Sequence, residues 1–197
     1  MPLAPLSMLT LLLVTPLIGI LFMLLSNQGS ESPLATVQPS RSEAFNVFAS
    51  RRAMLAHPSV ETLKAIALAT SIVNFIISLA LWSNFDRNTS CFQFVAEYNE
   101  LSFCHFTLGV DGISLFFIIL TCLLFPIIFL ADSKAIKENV LTYLVIMLLL
   151  ETLLIAVFTV KDILLFYIFF ESILPPLFLL IGLFGSSKKV RASFHLF

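Results

Sequence analysis

Five long apolar runs, separated by short polar stretches, organise this chain. They are Met8–Leu25, Ala65–Trp82, Ile113–Leu130, Val140–Val160 and Ile163–Phe184. A bilayer core of roughly 30 Å needs about 20 helical residues at 1.5 Å each, so each run predicts one transmembrane helix. The first run lacks the basic leader and the small-residue cleavage site of a signal peptide and is expected to be retained. Between the second and third runs, CFQFVAEY and LSFCHFTLGV alternate in hydrophobicity and carry aromatic and β-branched residues. That pattern predicts a short hairpin.

The segment Ser26–Lys64 changes character twice. SNQGSESPLATVQPSRSE is polar and proline-containing and reads as a flexible linker. FNVFASRRAMLAHPSVETLKAI is apolar and basic and suits the membrane surface ahead of the second span. Composition agrees: 59% of residues are hydrophobic and 12% charged, with a mean hydropathy of +1.02. The fold class is therefore an all-α polytopic membrane protein of about five transmembrane helices in contact with a lipid bilayer. The 21 Phe have no Lys/Arg cluster among them, which argues against a nucleic-acid partner.

Charge sets the expected orientation. With five crossings, Arg41, Arg51, Arg52, Lys64, Lys134, Lys137, Lys188, Lys189 and Arg191 share one side. The opposite side holds Arg87 and Lys161. The positive-inside rule makes the first side cytoplasmic or matrix and turns the N-terminus outward. Cys91 and Cys104 share the outward loop, where either a disulfide or two free thiols is compatible with the sequence. Cys122 reads as a small packing residue.

Two acidic residues stand inside apolar helices. Glu151 lies ten residues before Lys161 in the short turn between spans four and five, and Glu171 lies ten residues after it. Each is roughly 15 Å deep from the same face, so both approach the midplane. An acidic residue at the helix centre costs roughly 2.5–3.5 kcal/mol on insertion scales, and such residues mark proton or ion pathways by default. The alternative is a protonated glutamate that serves as an interhelical hydrogen-bond donor.

Pro175 and Pro176 deprive the carbonyls of Glu171 and Ser172 of their helical donors, which predicts a kink beside Glu171. Asp111 and Asp162 stand where they would cap spans three and five. His57, His105 and His195 match no metal or triad spacing. No phosphate loop, CxxC pair, haem or iron–sulfur signature occurs, so no cofactor site is expected in this chain.

The stretch KDILLFYIFFESILPPLFLLIGLFGSSKKVRASFHLF, together with LGVDGISLFFIILT and FQFVAEYNELSFCHFTLGVDG, resembles the chain 4 family of NADH-ubiquinone oxidoreductase. This family is related to subunits of cation/proton antiporters. The resemblance covers roughly residues 65–197 and is weaker before them. It implies the N-terminal portion of a fourteen-helix antiporter-like fold, divided here into residues 1–64 (first span and linker) and 65–197 (start of the translocating domain).

It also implies a membrane-arm subunit of respiratory complex I in the mitochondrial inner membrane. There the chain would contribute to proton translocation coupled to electron transfer from NADH to ubiquinone. NADH, FMN, iron–sulfur clusters and ubiquinone would be handled by partner subunits. Glu171 matches the family's midplane glutamate, which pairs with a lysine on a later span, and Glu151 is carried over as a candidate neighbour. The five spans contain no Lys. The expected reading is thus a fragment, a truncated product, or a chain completed by another. A non-pumping membrane fragment and a cation/proton antiporter subunit remain as alternatives.

Overall fold

A computed structural model describes residues 4–28, 60–86, 88–89, 91–98, 106–132, 136, 139–185 and 193. The linker, His57, His105, His195, Cys104, Lys134, Lys137 and the basic segment 188–191 lie outside the described residues. Helices α1 (Ala4–Gln28), α2 (Val60–Ser83), α3 (Gly112–Asp132) and α4 (Val140–Thr159) each supply one membrane-length span. The fifth span is divided into α5 (Ile163–Ser172) and α6 (Leu174–Phe184).

The helices alternate in direction around α4. At one end Met23 of α1 meets Leu63 and Ala67 of α2, Phe129 of α3 and Val140 of α4. At the other, Leu9 and Leu12 of α1 meet Leu81 of α2, Leu115 of α3 and Ile155 of α4. Burial identifies α4 as the central element: 67% of its span is buried, against 11% of Ile163–Phe184. Elsewhere large apolar side chains face outward, among them Phe22, Ile76, Phe116 and Leu130. That is the expected surface for helices solvated by lipid.

The expected hairpin is present. Strands β1 (Gln93–Tyr98) and β2 (Phe106–Val110) pair antiparallel, from Tyr98 opposite Phe106 to Gln93 opposite Val110. A bulge between Gln93 and Ala96 coincides with Phe94 at φ 55°. Ala96, Leu108 and Val110 turn into the bundle and join the apolar cluster at that end. Val160, expected to end the fourth helix, instead leaves it and pairs with Leu108. The Lys161 backbone N–H then donates to the Thr107 carbonyl at 3.1 Å. The Lys161 ammonium also sits 4.6 Å from the centre of the Phe92 ring. The hairpin is thereby fastened over the α4–α5 turn.

The expected cap forms at Asp162, while Asp111 reaches only the first N–H of its helix. Asp162 accepts from the Leu164 N–H at 2.9 Å. Asp111 accepts from the Gly112 N–H at 2.7 Å, and the Ser114 hydroxyl accepts from the Asp111 N–H at 2.8 Å. The second contact is the return half of a capping box. Cys91 is an exposed free thiol, and Cys122 is buried within the apolar cluster beneath the hairpin.

The two prolines interrupt the regular hydrogen bonding of the fifth span at Ile173, whose own backbone stays helical at φ −73° and ψ −30°. Leu174, Pro175 and Pro176 form the first turn of α6, where missing N–H groups are tolerated. Ile173 joins the pieces, with its N–H reaching the Phe170 carbonyl at 3.2 Å. The Ser172 hydroxyl donates back to the Ile168 carbonyl at 2.7 Å, as its position in an interrupted helix suggests.

Candidate proton-handling site

Between the two apolar clusters lies a polar layer. Ser71, Asn74 and Ser78 follow one another at three- and four-residue spacing along α2, so they share a face. All three are fully buried. That face turns toward α4, where Glu151 is also fully buried. The Asn74 amide donates to Oε1 of Glu151 at 2.8 Å. The Thr15 hydroxyl of α1 approaches the Asn74 amide oxygen at 2.8 Å. Three spans thus meet through one chain of polar side chains.

Pro16 explains part of Thr15's role. Proline has no N–H, so the Leu12 carbonyl loses its helical donor. The Thr15 hydroxyl lies 3.3 Å from that carbonyl and 2.8 Å from the Asn74 oxygen. A hydroxyl has one proton, and the shorter contact is the one to Asn74. With its oxygen occupied in this way, the Asn74 side chain is oriented to present its NH₂ to Glu151. Cys122 of α3 borders the same layer, near Glu151 and Ser78.

Glu151 Oε2 has no hydrogen-bond partner. One carboxyl oxygen is thus engaged by Asn74 while the other is buried without a partner.

Glu171 occupies a different setting. It ends α5 beside the break and is exposed on the outer side of the five-span bundle. Its neighbour is the Tyr167 hydroxyl, one helical turn earlier. The structure therefore places the two glutamates on adjacent helices, one turned inward and one outward. Asn74 and Thr15 had not been singled out in the sequence. An amide flanked by serines at helical spacing inside the apolar run Ala65–Trp82 was the available signal.

At the opposite end from the hairpin, the Tyr143 hydroxyl donates to Oδ2 of Asp132. Nearby, Lys64 Nζ donates to the Ile136 carbonyl at 3.3 Å. No group of three or more His, Cys, Asp or Glu side chains suited to a metal ion occurs among the described residues.

Five apolar spans, a buried carboxylate in a mid-bundle polar layer and a second carboxylate at a helix break define a membrane protein of the antiporter-like class. Residues 53–157 match the family described as NADH-ubiquinone oxidoreductase chain 4, amino terminus. Residues 160–197 match the family described as NADH:quinone oxidoreductase/Mrp antiporter, TM. The chain belongs to the NADH-ubiquinone oxidoreductase chain 4 family.

It is 46% identical over 191 residues to NADH-ubiquinone oxidoreductase chain 4 of Mycosarcoma maydis, covering 96% of this chain and 34% of that protein. NADH-quinone oxidoreductase subunit M of Rhodobacter capsulatus is 40% identical over 134 residues, covering 68% of this chain and 26% of that one. A third relative, from Podospora anserina, is named as an uncharacterised 50.9 kDa protein in ND4 intron 1. It is 47% identical over 198 residues, which cover 94% of this chain and 43% of that one. The chain thus spans between a quarter and a half of the length of these relatives.

Proposed function

We propose that this chain contributes to proton translocation as a membrane-arm subunit of NADH:ubiquinone oxidoreductase in the mitochondrial inner membrane. Its partners are the other membrane-arm subunits, and NADH, FMN, iron–sulfur clusters and ubiquinone are handled elsewhere in the assembly. The charge asymmetry supports an N-terminus on the intermembrane-space side. Residues 1–64 form a lead span and linker, and residues 65–197 begin the translocating domain.

The observation that carries this reading is the pair of glutamates within the last two spans of a chain belonging to this family. Glu171 acts as the proton relay, with Glu151 as its neighbour. A carboxylate at mid-span on the bundle's outer side is costly against lipid. This favours a protein surface of the assembly as the cover for α5 and α6. The break at Ile173 frees backbone groups that can hold water beside the carboxylate.

The Glu171→Gln substitution tests the reading in the assembled complex. Protons translocated per electron are expected to fall while assembly and helix insertion persist. An unchanged ratio overturns the assignment.

The name of the Podospora relative favours a second reading, since that protein is placed in an intron of the chain 4 gene. In this reading the five spans insert as a bundle that does not pump. The size of the endogenous polypeptide, and its co-migration with a large NADH-oxidising complex, separate the two. A small product migrating alone supports the second reading.

A further inference from the structure

Glu151 is fully buried where α1, α2 and α4 meet, with Cys122 of α3 nearby. Its Oε1 is held by Asn74 at 2.8 Å, Asn74 is in turn held by Thr15 at 2.8 Å, and Oε2 is left without a partner. Both Glu151 and Asn74 are fully buried. The direction of the hydrogen bonds matters. An amide NH₂ can only donate, so Oε1 stays an acceptor in either protonation state of the carboxyl group. A carbonyl oxygen accepts better than a carboxylic hydroxyl oxygen, so the Asn74 contact favours the proton on Oε2, the oxygen left without a partner.

We infer that Asn74 is a positioning residue for proton exchange at Glu151, and that Thr15 orients it. Asn74 holds Oε1 and leaves Oε2, the oxygen without a partner, to take up and release the proton. Thr15 favours the amide orientation that presents NH₂ to the carboxyl group. Its hydroxyl approaches the amide oxygen at 2.8 Å; an amide flip would turn that proton to the more distant Leu12 carbonyl at 3.3 Å and set the amide oxygen against Oε1. A flipped amide is satisfied only with the proton on Oε1, so the orientation that Thr15 favours is the one that leaves the proton on Oε2. The inference rests on reading Glu151 as part of the proton path. It adds two residues from the first two spans, which lie 77 and 136 positions from Glu151 in the chain.

Infrared difference spectroscopy on the assembled complex, combined with proton-pumping rates, tests this. The carboxylic C=O band of Glu151 is assigned by its disappearance in Glu151→Gln. In Asn74→Leu the band is expected to rise in frequency, because the accepted hydrogen bond is gone. Pumping is expected to slow roughly tenfold, less than the roughly 100-fold cost of losing a positioned proton-transfer group outright. Thr15→Val leaves Asn74 in place but releases its orientation, and it keeps the test open should Asn74→Leu not assemble. In Thr15→Val the band is expected to broaden or split into two populations.

An unshifted band in Asn74→Leu, or in its absence a single unshifted band in Thr15→Val, overturns the assignment of Asn74. A shifted band with unchanged pumping reduces Asn74 to a packing role and overturns it equally. If Glu151→Gln pumps normally, the underlying reading of Glu151 is wrong and the inference falls with it. If Glu151→Gln is defective while Asn74→Leu pumps normally, only the inference falls.

Discussion

Asn74 and Glu151, on different helices and both fully buried, are joined by a 2.8 Å hydrogen bond that bridges the bundle between its two apolar clusters. Lipid and helix interior are equally apolar, so leucine contacts alone specify helix rotation weakly. A buried amide–carboxyl pair specifies it strongly, because any other rotation strands polar groups in hydrocarbon.

The pair's contribution is measurable by a double-mutant cycle on unfolding from the membrane or detergent. Glu151→Leu leaves the Asn74 amide unmet, and Asn74→Leu leaves Oε1 unmet. Each single change is expected to destabilise by about 1–3 kcal/mol, as expected for a stranded buried polar group. The double change is expected to recover part of that loss. Interhelical hydrogen bonds in membranes couple by roughly 0.6 kcal/mol on average, with about 1.7 as the upper range. A coupling energy indistinguishable from zero would deny the bond a structural role.

Close packing of α1 on α2 holds Thr15 within reach of Asn74. A Cβ on Gly19 would stand 2.6 Å from Cγ2 and 2.8 Å from Oγ1 of Thr70. Thr70 cannot easily turn away, because it is β-branched and its hydroxyl bonds the Ile66 carbonyl at 2.8 Å. Gly19→Ala is expected to cost about 1–3 kcal/mol through overpacking. Gly19→Leu should separate the two helices and break the Thr15–Asn74 contact. Cysteine cross-linking between α1 and α2 reads this as a lower yield, and Gly19→Ala with Thr70→Ala should restore it.

The spans, the cap at Asp162 and the hairpin were legible in the sequence, because each depends on local chemistry. Apolar run length identifies a span, an Asp ahead of it caps the helix, and alternation marks strands. The inward turn of Glu151 was not legible. Periodicity separates core from surface only when the surface is polar, and α4 is apolar all round apart from a few positions. Asn74 was hidden for the same reason and by distance, since it meets Glu151 across 77 residues. The prolines announced a disturbance beside Glu171, but not that Leu174 to Pro176 would open a new helix.

The fastening of the hairpin depends on another glycine. A Cβ on Gly109 would stand 2.7 Å from Cδ of Lys161, whose ammonium covers Phe92. The obstacle is a flexible side chain, so Gly109→Ala should displace Lys161 from the ring without disrupting the strand pair. The lost contact corresponds to about 0.5–1 kcal/mol, the range for exposed cation–π pairs. Faster amide hydrogen exchange at residues 93–98 is the expected readout. Lys161→Ala alone should give the same exchange rate, and combining it with Gly109→Ala should add nothing further. Additive effects of the two changes would show that Gly109 acts elsewhere.

The break at Ile173 bears directly on Glu171. Pro175 and Pro176 provide no N–H for the carbonyls of Glu171 and Ser172, and the chain accommodates this by ending α5 and starting α6. Replacing both with Ala restores two donors and two good helix formers. The expected product is one continuous helix from Ile163 to Phe184, at least as stable as the parent in detergent. Spin labels at Tyr167 and Leu179 should report a narrower distance distribution as the interruption at Ile173 closes. The added N–H groups also occupy the carbonyls of Glu171 and Ser172, which in the proposed reading are free to hold water beside the carboxylate. Pumping should therefore fall although the fold gains helix. A straight helix with undiminished pumping would separate the break from proton transfer and leave Glu171 to work without it.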